Sequence, residues 1–347
     1  MSVSSCLIIK NEEKNIALCL ESIQSFSDEI IIVDTGSNDN SKIIASKYTN
    51  KIFDFKWNNN FSQARNYALE QASGDYIFSI DADEYIENPD EINKALSNSN
   101  RDTGGWLVNV VSSAYNKDGN IEQMQTSLLR LFINHPKIRF SGIIHEQVFE
   151  SILALGLKIE NSNINLQHSG YLLSPDEFQN KQNRNIELLQ NALENEPNNN
   201  YLLTHLGKTY SALHKQKEAK EIFKKIIDNS DNNGIYKIDA LNFYSVILFE
   251  EKKYRDTIKY AQQSLAILPN QAYPYFVIAD AYSNLRAFDQ AYYSYKNALA
   301  NLDSEDVATK ILGQYQIPKE NLYFKIGLVL SEMQIYDDAI QNFENGL

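Results

Sequence analysis

The chain has 347 residues, more than one hydrophobic core usually spans, so two domains are expected. Its 45 acidic against 32 basic side chains exclude a general nucleic-acid binder, which needs a basic surface to release counterions. Only two cysteines occur, Cys6 and Cys19, both in apolar runs, so no disulfide framework is expected and a reducing cytoplasm is the default compartment.

The first apolar run, "SSCLIIK" (4–10), is too short and too soon charged for a signal peptide or membrane span, and no transmembrane segment is expected. It reads as a first strand. "EIIIVDTG" (29–36), "KIFDFKW" (51–57) and "DYIFSIDAD" (75–83) read as three more. Between them, "NIALCLESIQSF", "DNSKIIASKY" and "FSQARNYALEQA" have the apolar spacing of amphipathic helices. Strand–helix–strand alternation predicts an α/β domain whose mostly parallel sheet is covered on both faces. Gly74 reads as a helix stop before strand four. After Glu84 a helix is expected around Asp90–Asn98. The runs "GGWLVNVVSSAY" (104–115) and "QTSLLRLFI" (125–133) then read as antiparallel strands closing the sheet.

From about Pro175 the pattern is helical and repeats. A small residue recurs at Gly207, Ser245, Ala279 and Gly327. Twelve positions later stand Ala219, Thr257, Ala291 and Ala339, and four further on Phe223, Ala261, Tyr295 and Phe343. Small residues let paired helices approach closely, and the bulkier ones fill the groove left by the next pair. This register resembles tetratricopeptide repeats, with loop insertions before the second and fourth units. The expected division is residues 1–172 and 173–347.

In a parallel sheet, ligands sit at the carboxyl ends of the strands. Asn11, Glu12 and Glu13 follow strand one, Asp34 follows strand two, and Asp81 and Asp83 of "FSIDADEYIE" follow strand four. The sequence contains neither G-x-G-x-x-G after strand one nor G-x-x-x-x-G-K-[ST], so a glycine-rich phosphate cradle is not expected. A hard cation bridging carboxylates and phosphate is the other physical solution. In an extended D-x-D, Asp81 and Asp83 would point to one side and share one site.

"CLIIKNEEKNIALCLESI", "IIIVDTGSNDNS", "FSQARNYALEQASGDYIFSIDADE" and "FSGIIHE", in this order, resemble the family 2 glycosyltransferases of the GT-A (Rossmann-like) fold. The likeness spans about residues 3–170. It is greatest to the branch that includes lipopolysaccharide-core transferases and SunS-type peptide S-glycosyltransferases. The resemblance implies that Glu13 and Asp34 hold the nucleotide of a UDP-sugar, that Arg65 and Asp81 lie at the donor phosphates and ribose, and that Asp83 binds Mn²⁺ or Mg²⁺. It implies a histidine in the metal shell, His168 first and His145 second, and Glu146 as the base in an inverting transfer. Some relatives have a third aspartate after the D-x-D; Glu84 stands there and receives no role. The repeats point to a peptide or protein acceptor, through Cys or Ser/Thr, or to a homodimer. A sugar transferase acting on a cell-surface glycan is the alternative within enzymes, and a repeat scaffold with a decayed catalytic domain is the alternative outside them.

Overall fold

The computed structural model describes residues 1–115, 121–168, 174–229, 234–302, 307–311 and 317–347. The chain forms two units, Met1–Arg184 and Asn185–Leu347.

The sheet of the first unit grows outward from a central strand. β1 (Val3–Ile9) pairs in parallel with β2 (Glu29–Asp34) on one side and with β4 (Tyr76–Ser79) on the other; β3 (Ile52–Asp54) extends the parallel set beyond β2. Leu7, Ile32 and Phe78 are fully buried, as expected of strands covered on both faces. The crossovers are made by α1 (Ile16–Ile23), α2 (Ser41–Ala45) and α3 (Phe61–Gln71), where the sequence places them. β5 (Glu84–Ile86) and α4 (Asp90–Ser97) follow. β6 (Thr103–Tyr115) and β7 (Ile121–Ile133) form the expected antiparallel pair, and β7 closes on β4. After α5 (Phe149–Ala154) comes β8 (Lys158–His168), giving the sheet order β3-β2-β1-β4-β7-β6-β8-β5.

β5 and β8 are the strands the apolar pattern does not reveal. β5 has three residues, and β8, "KIENSNINLQH", is rich in asparagine. Their antiparallel register sets His168 opposite Glu84, at the turn where β4 ends.

Gly74 is not a left-handed helix stop, because its φ lies outside that region. It is required by proximity: a Cβ there would sit 2.9 Å from the Ser4 backbone nitrogen. The same corner is pinned by Glu29. Its carboxylate accepts from Ser4 Oγ and Lys51 Nζ, from the Ser73 nitrogen at 2.6 Å and from the Gly74 nitrogen at 3.2 Å.

In the second unit, α6 (Pro175–Asn195) crosses the unit boundary. It is followed by helix hairpins α7–α8 (Asn200–Ala212, Gln216–Asp228), α9–α10 (Ile235–Glu250, Tyr254–Ile267) and α11–α12 (Ala272–Asn284, Phe288–Ala300). α13 (Val307–Ile311) precedes the last hairpin, α14–α15 (Lys319–Glu332, Tyr336–Asn345). These hairpins are the four repeats read from the sequence; parts of both expected insertions fall outside the described residues. Ala219, Phe223, Ala279, Ala291 and Tyr295 are buried where the register requires. A Cβ on Gly207 would lie 2.6 Å from the Phe223 ring, and one on Gly327 equally close to Phe343. Each hairpin turns at a residue with positive φ, seven positions after the small one: His214, Lys252, Arg286 and Gln334. Such left-handed closures commonly end a helix.

Two outcomes follow. Phe223→Ala should cost the second unit about 3–5 kcal/mol in chemical denaturation, because the ring fills the space against Gly207 and stacks on Phe243. Burial opposes the Glu29 charge, but Lys51, Ser4 and Ser73 outweigh it and lower its pKa from 4.5 to about 2. Its stabilisation is therefore present above about pH 4.5 and lost as pH falls toward 2; acid titration of Glu29→Gln should show a shallower loss across that window.

Candidate active site

Three loops meet at the carboxyl edge of the parallel strands. The loop after β1 begins at Asn11, whose φ of 58° is left-handed and is tolerated by asparagine. It clasps the loop after β2. The Asn11 nitrogen donates to Ser37 Oγ at 3.0 Å, and the Glu12 nitrogen donates to Ser41 Oγ at 2.7 Å. In return Asn40 donates to Glu13 Oε2 from its backbone and side-chain nitrogens, at 3.1 and 2.9 Å. Asp34 is buried at the end of β2, and its carboxylate accepts from the Gly36 and Ser37 nitrogens at 3.1–3.2 Å. Glu13 and Asp34 thus both organise this loop pair. Glu12, to which no role was given, accepts from Asn15 Nδ2 at 2.9 Å; burial raises its pKa against that hydrogen bond, and the charges of Asp83 and Asp81 add to the rise.

The D-x-D is a turn rather than an extended segment. The Glu84 nitrogen donates to the Asp81 carbonyl at 3.0 Å, and the Asp81 nitrogen donates to Glu84 Oε2 at 2.9 Å. Asp81 and Asp83 consequently face different partners, and the shared site expected of an extended D-x-D is corrected. Asp81 accepts from two arginines: Arg65 Nη2 on Oδ1 at 2.6 Å and Arg130 Nη2 on Oδ2 at 2.6 Å. Burial works against its charge, but Arg130 and Arg65 prevail and hold the carboxyl far below the usual range.

Arg65, on α3, is 6% exposed and also donates to Ser79 Oγ at 3.0 Å and to Glu146. The neighbouring Asn66 secures the Glu146 loop. Its Nδ2 donates to the Phe140 carbonyl at 2.9 Å, and its Oδ1 accepts from the Phe140 nitrogen at 2.8 Å. "SQARN" therefore fixes both the arginine and the loop it meets.

Asp83 points to His168, whose Nε2 lies 2.9 Å from Asp83 Oδ2. Burial opposes a charged imidazole, but the Asp83 hydrogen bond and charge outweigh it and raise the His168 pKa. His145 is exposed with φ at 55°, in the loop before Glu146, and does not join this pair. Among the described residues no three His, Cys, Asp or Glu side chains form a metal cage. A half-buried carboxylate beside an imidazole still suits Mn²⁺ or Mg²⁺, which keeps positions for phosphate oxygens and water. On α6, Lys181 is half-buried; burial lowers its pKa, while Asp83 and Asp81 act to raise it. Arg65, Asp81 and Glu146 thus form one network, to which the structure adds Arg130 and Glu84, and Asp83 and His168 form a pair at the same turn.

Residues 4–146 match the family described as Glycosyl transferase family 2. The chain is 30% identical over 265 residues to the SPbeta prophage-derived glycosyltransferase SunS of Bacillus subtilis, covering 75% of this chain and 61% of that protein. It is 33% identical over 213 residues to a TPR repeat-containing protein of Synechococcus elongatus, covering 59% of this chain and 51% of the relative. The chain therefore spans between half and two thirds of these relatives. Among solved structures, MamA superposes with a TM-score of 0.40 at 19% identity, over 50% of this chain and 93% of MamA.

Arg65→Met should destabilise the first unit by about 3–5 kcal/mol in urea denaturation, because it strands the Glu146 carboxylate and takes one of the two cations from Asp81.

Proposed function

We propose that the family 2 glycosyltransferase domain of residues 4–146 serves an inverting transferase. It would move a sugar from a nucleotide donor, a UDP-sugar, to a peptide or protein acceptor. The observation that carries this reading is the Asp83–His168 pair at the end of the parallel strands, beside an Asp81 locked by two arginines. Asp83 and His168 would hold Mn²⁺ or Mg²⁺, which when bound offsets the charge of a departing diphosphate. No helix among the described residues is long and apolar enough to cross a membrane.

The chain's own residues divide the remaining work. The clasped loops carrying Glu13 and Asp34 would receive the nucleoside beside this pair, at the strand ends. Glu146 Oε1 accepts from Arg65 Nε, and its Oε2 has no partner among the described residues. That oxygen is the acceptor's base: it takes the proton as the acceptor atom bonds to the anomeric carbon and the carbon–diphosphate oxygen bond breaks. A cysteine thiol, with its pKa near 8.5, asks less of this base than a serine or threonine hydroxyl. The helix hairpins of the second unit supply the kind of extended surface that binds peptides, which supports a polypeptide acceptor.

The test is hydrolysis of a panel of UDP-sugars with Mn²⁺ or Mg²⁺, comparing wild type with Asp83→Ala. Metal-dependent turnover of one sugar should fall by at least about 100-fold in the variant, in line with loss of a site-building ligand. Equal turnover by both proteins, or none with any metal, would refute the reading.

A further inference from the structure

Arg130 is a lone charge in the apolar strand "SLLRLFI", and it is 8% exposed. Its Nη2 reaches both Asp81 Oδ2, at 2.6 Å, and Glu84 Oε1, at 2.9 Å. Glu84 is itself buried, and its other oxygen accepts from the Asp81 nitrogen. One guanidinium thus holds the turn at its first and last residues. Asp83 lies inside that turn and turns its carboxylate to His168. Packing does not require an arginine here. Arg130 Nε is buried without a partner among the described residues, and replacing a buried ionic cluster by apolar side chains is often neutral or stabilising. A buried arginine with one nitrogen unsatisfied therefore asks for a reason other than stability.

We propose that Arg130 is a positioning residue of the donor site, which fixes the Asp81–Glu84 turn and so aims Asp83 at the cation and donor diphosphate. The assignment rests on the transferase reading above. Among the described residues the ion pairs of Arg130 are with Asp81 and Glu84, and it acts through them. Losing it leaves Asp81 with Arg65, whose hold is on the opposite oxygen, so the turn can rotate.

The test uses the full chain with Arg130→Lys and the double variant Arg130→Met/Glu84→Gln. The glutamine removes the charge that Arg130 would strand, and its carbonyl oxygen can still accept from the Asp81 nitrogen. Thermal melting reports folding, Mn²⁺ titration by electron paramagnetic resonance reports the cation site without any sugar, and donor hydrolysis gives KM and kcat separately. The double variant should melt close to wild type yet bind Mn²⁺ about 10–100-fold more weakly, as outer-shell changes do. Its donor KM should rise by a similar factor with kcat less affected, and Arg130→Lys should recover part of both losses. A folded double variant with wild-type Mn²⁺ affinity and donor KM would overturn the assignment. A wild type that turns over no nucleotide sugar would instead overturn the transferase reading, while the Mn²⁺ comparison would still decide the role of Arg130.

Discussion

Carboxylates crowded at the end of a buried strand repel one another and resist leaving water, so something must offset their charge. Asp81, Asp83, Glu84 and Glu146 gather where β4 ends, and Arg65 and Arg130 are buried among them. The arginines satisfy Asp81, Glu84 and Glu146. Asp83 instead faces His168, and both are partly buried. A divalent cation bound to an anionic donor would offset part of the negative charge of such a cluster.

Other features of the first unit serve this arrangement. The α3 helix delivers Arg65 to the network and Asn66 to the Glu146 loop, and both are consequences of one short motif. The β5–β8 pairing delivers His168 to Asp83. The loops after β1 and β2 stiffen each other through reciprocal hydrogen bonds, one of which engages the Glu13 carboxylate. In the second unit, a left-handed turn seven residues after the small residue recurs in all four hairpins, and in the first and last of them the small residue is a glycine facing an aromatic ring.

Much of this could be read in the sequence, for reasons of period and position. The parallel core was legible because strands buried on both faces give unbroken apolar runs. The helix hairpins were legible because small and aromatic residues recur at one spacing. Asp83 and His168 lie 2.9 Å apart, and both were named from the family's likeness. The D-x-D turn was not legible, since alternation predicts an extended chain and the capping by Glu84 is a tertiary feature. Arg130 and Glu84 were missed although signals existed: a single arginine inside an apolar strand, and an acid directly after the motif. Burial makes each depend on the other, and neither explains itself alone. β8 escaped because its asparagines hide a strand that pairs on both edges.

The account turns on whether Asp83 and His168, rather than the arginine-bound Asp81, meet the cation. Crystals grown with Mn²⁺ and UDP, with diffraction recorded at the manganese absorption edge, address this directly. The prediction is an anomalous peak within bonding distance of Asp83 and His168, with Asp81 still on Arg65 and Arg130. A peak on Asp81 with its arginines displaced, or none in this cleft while UDP is bound, would contradict it.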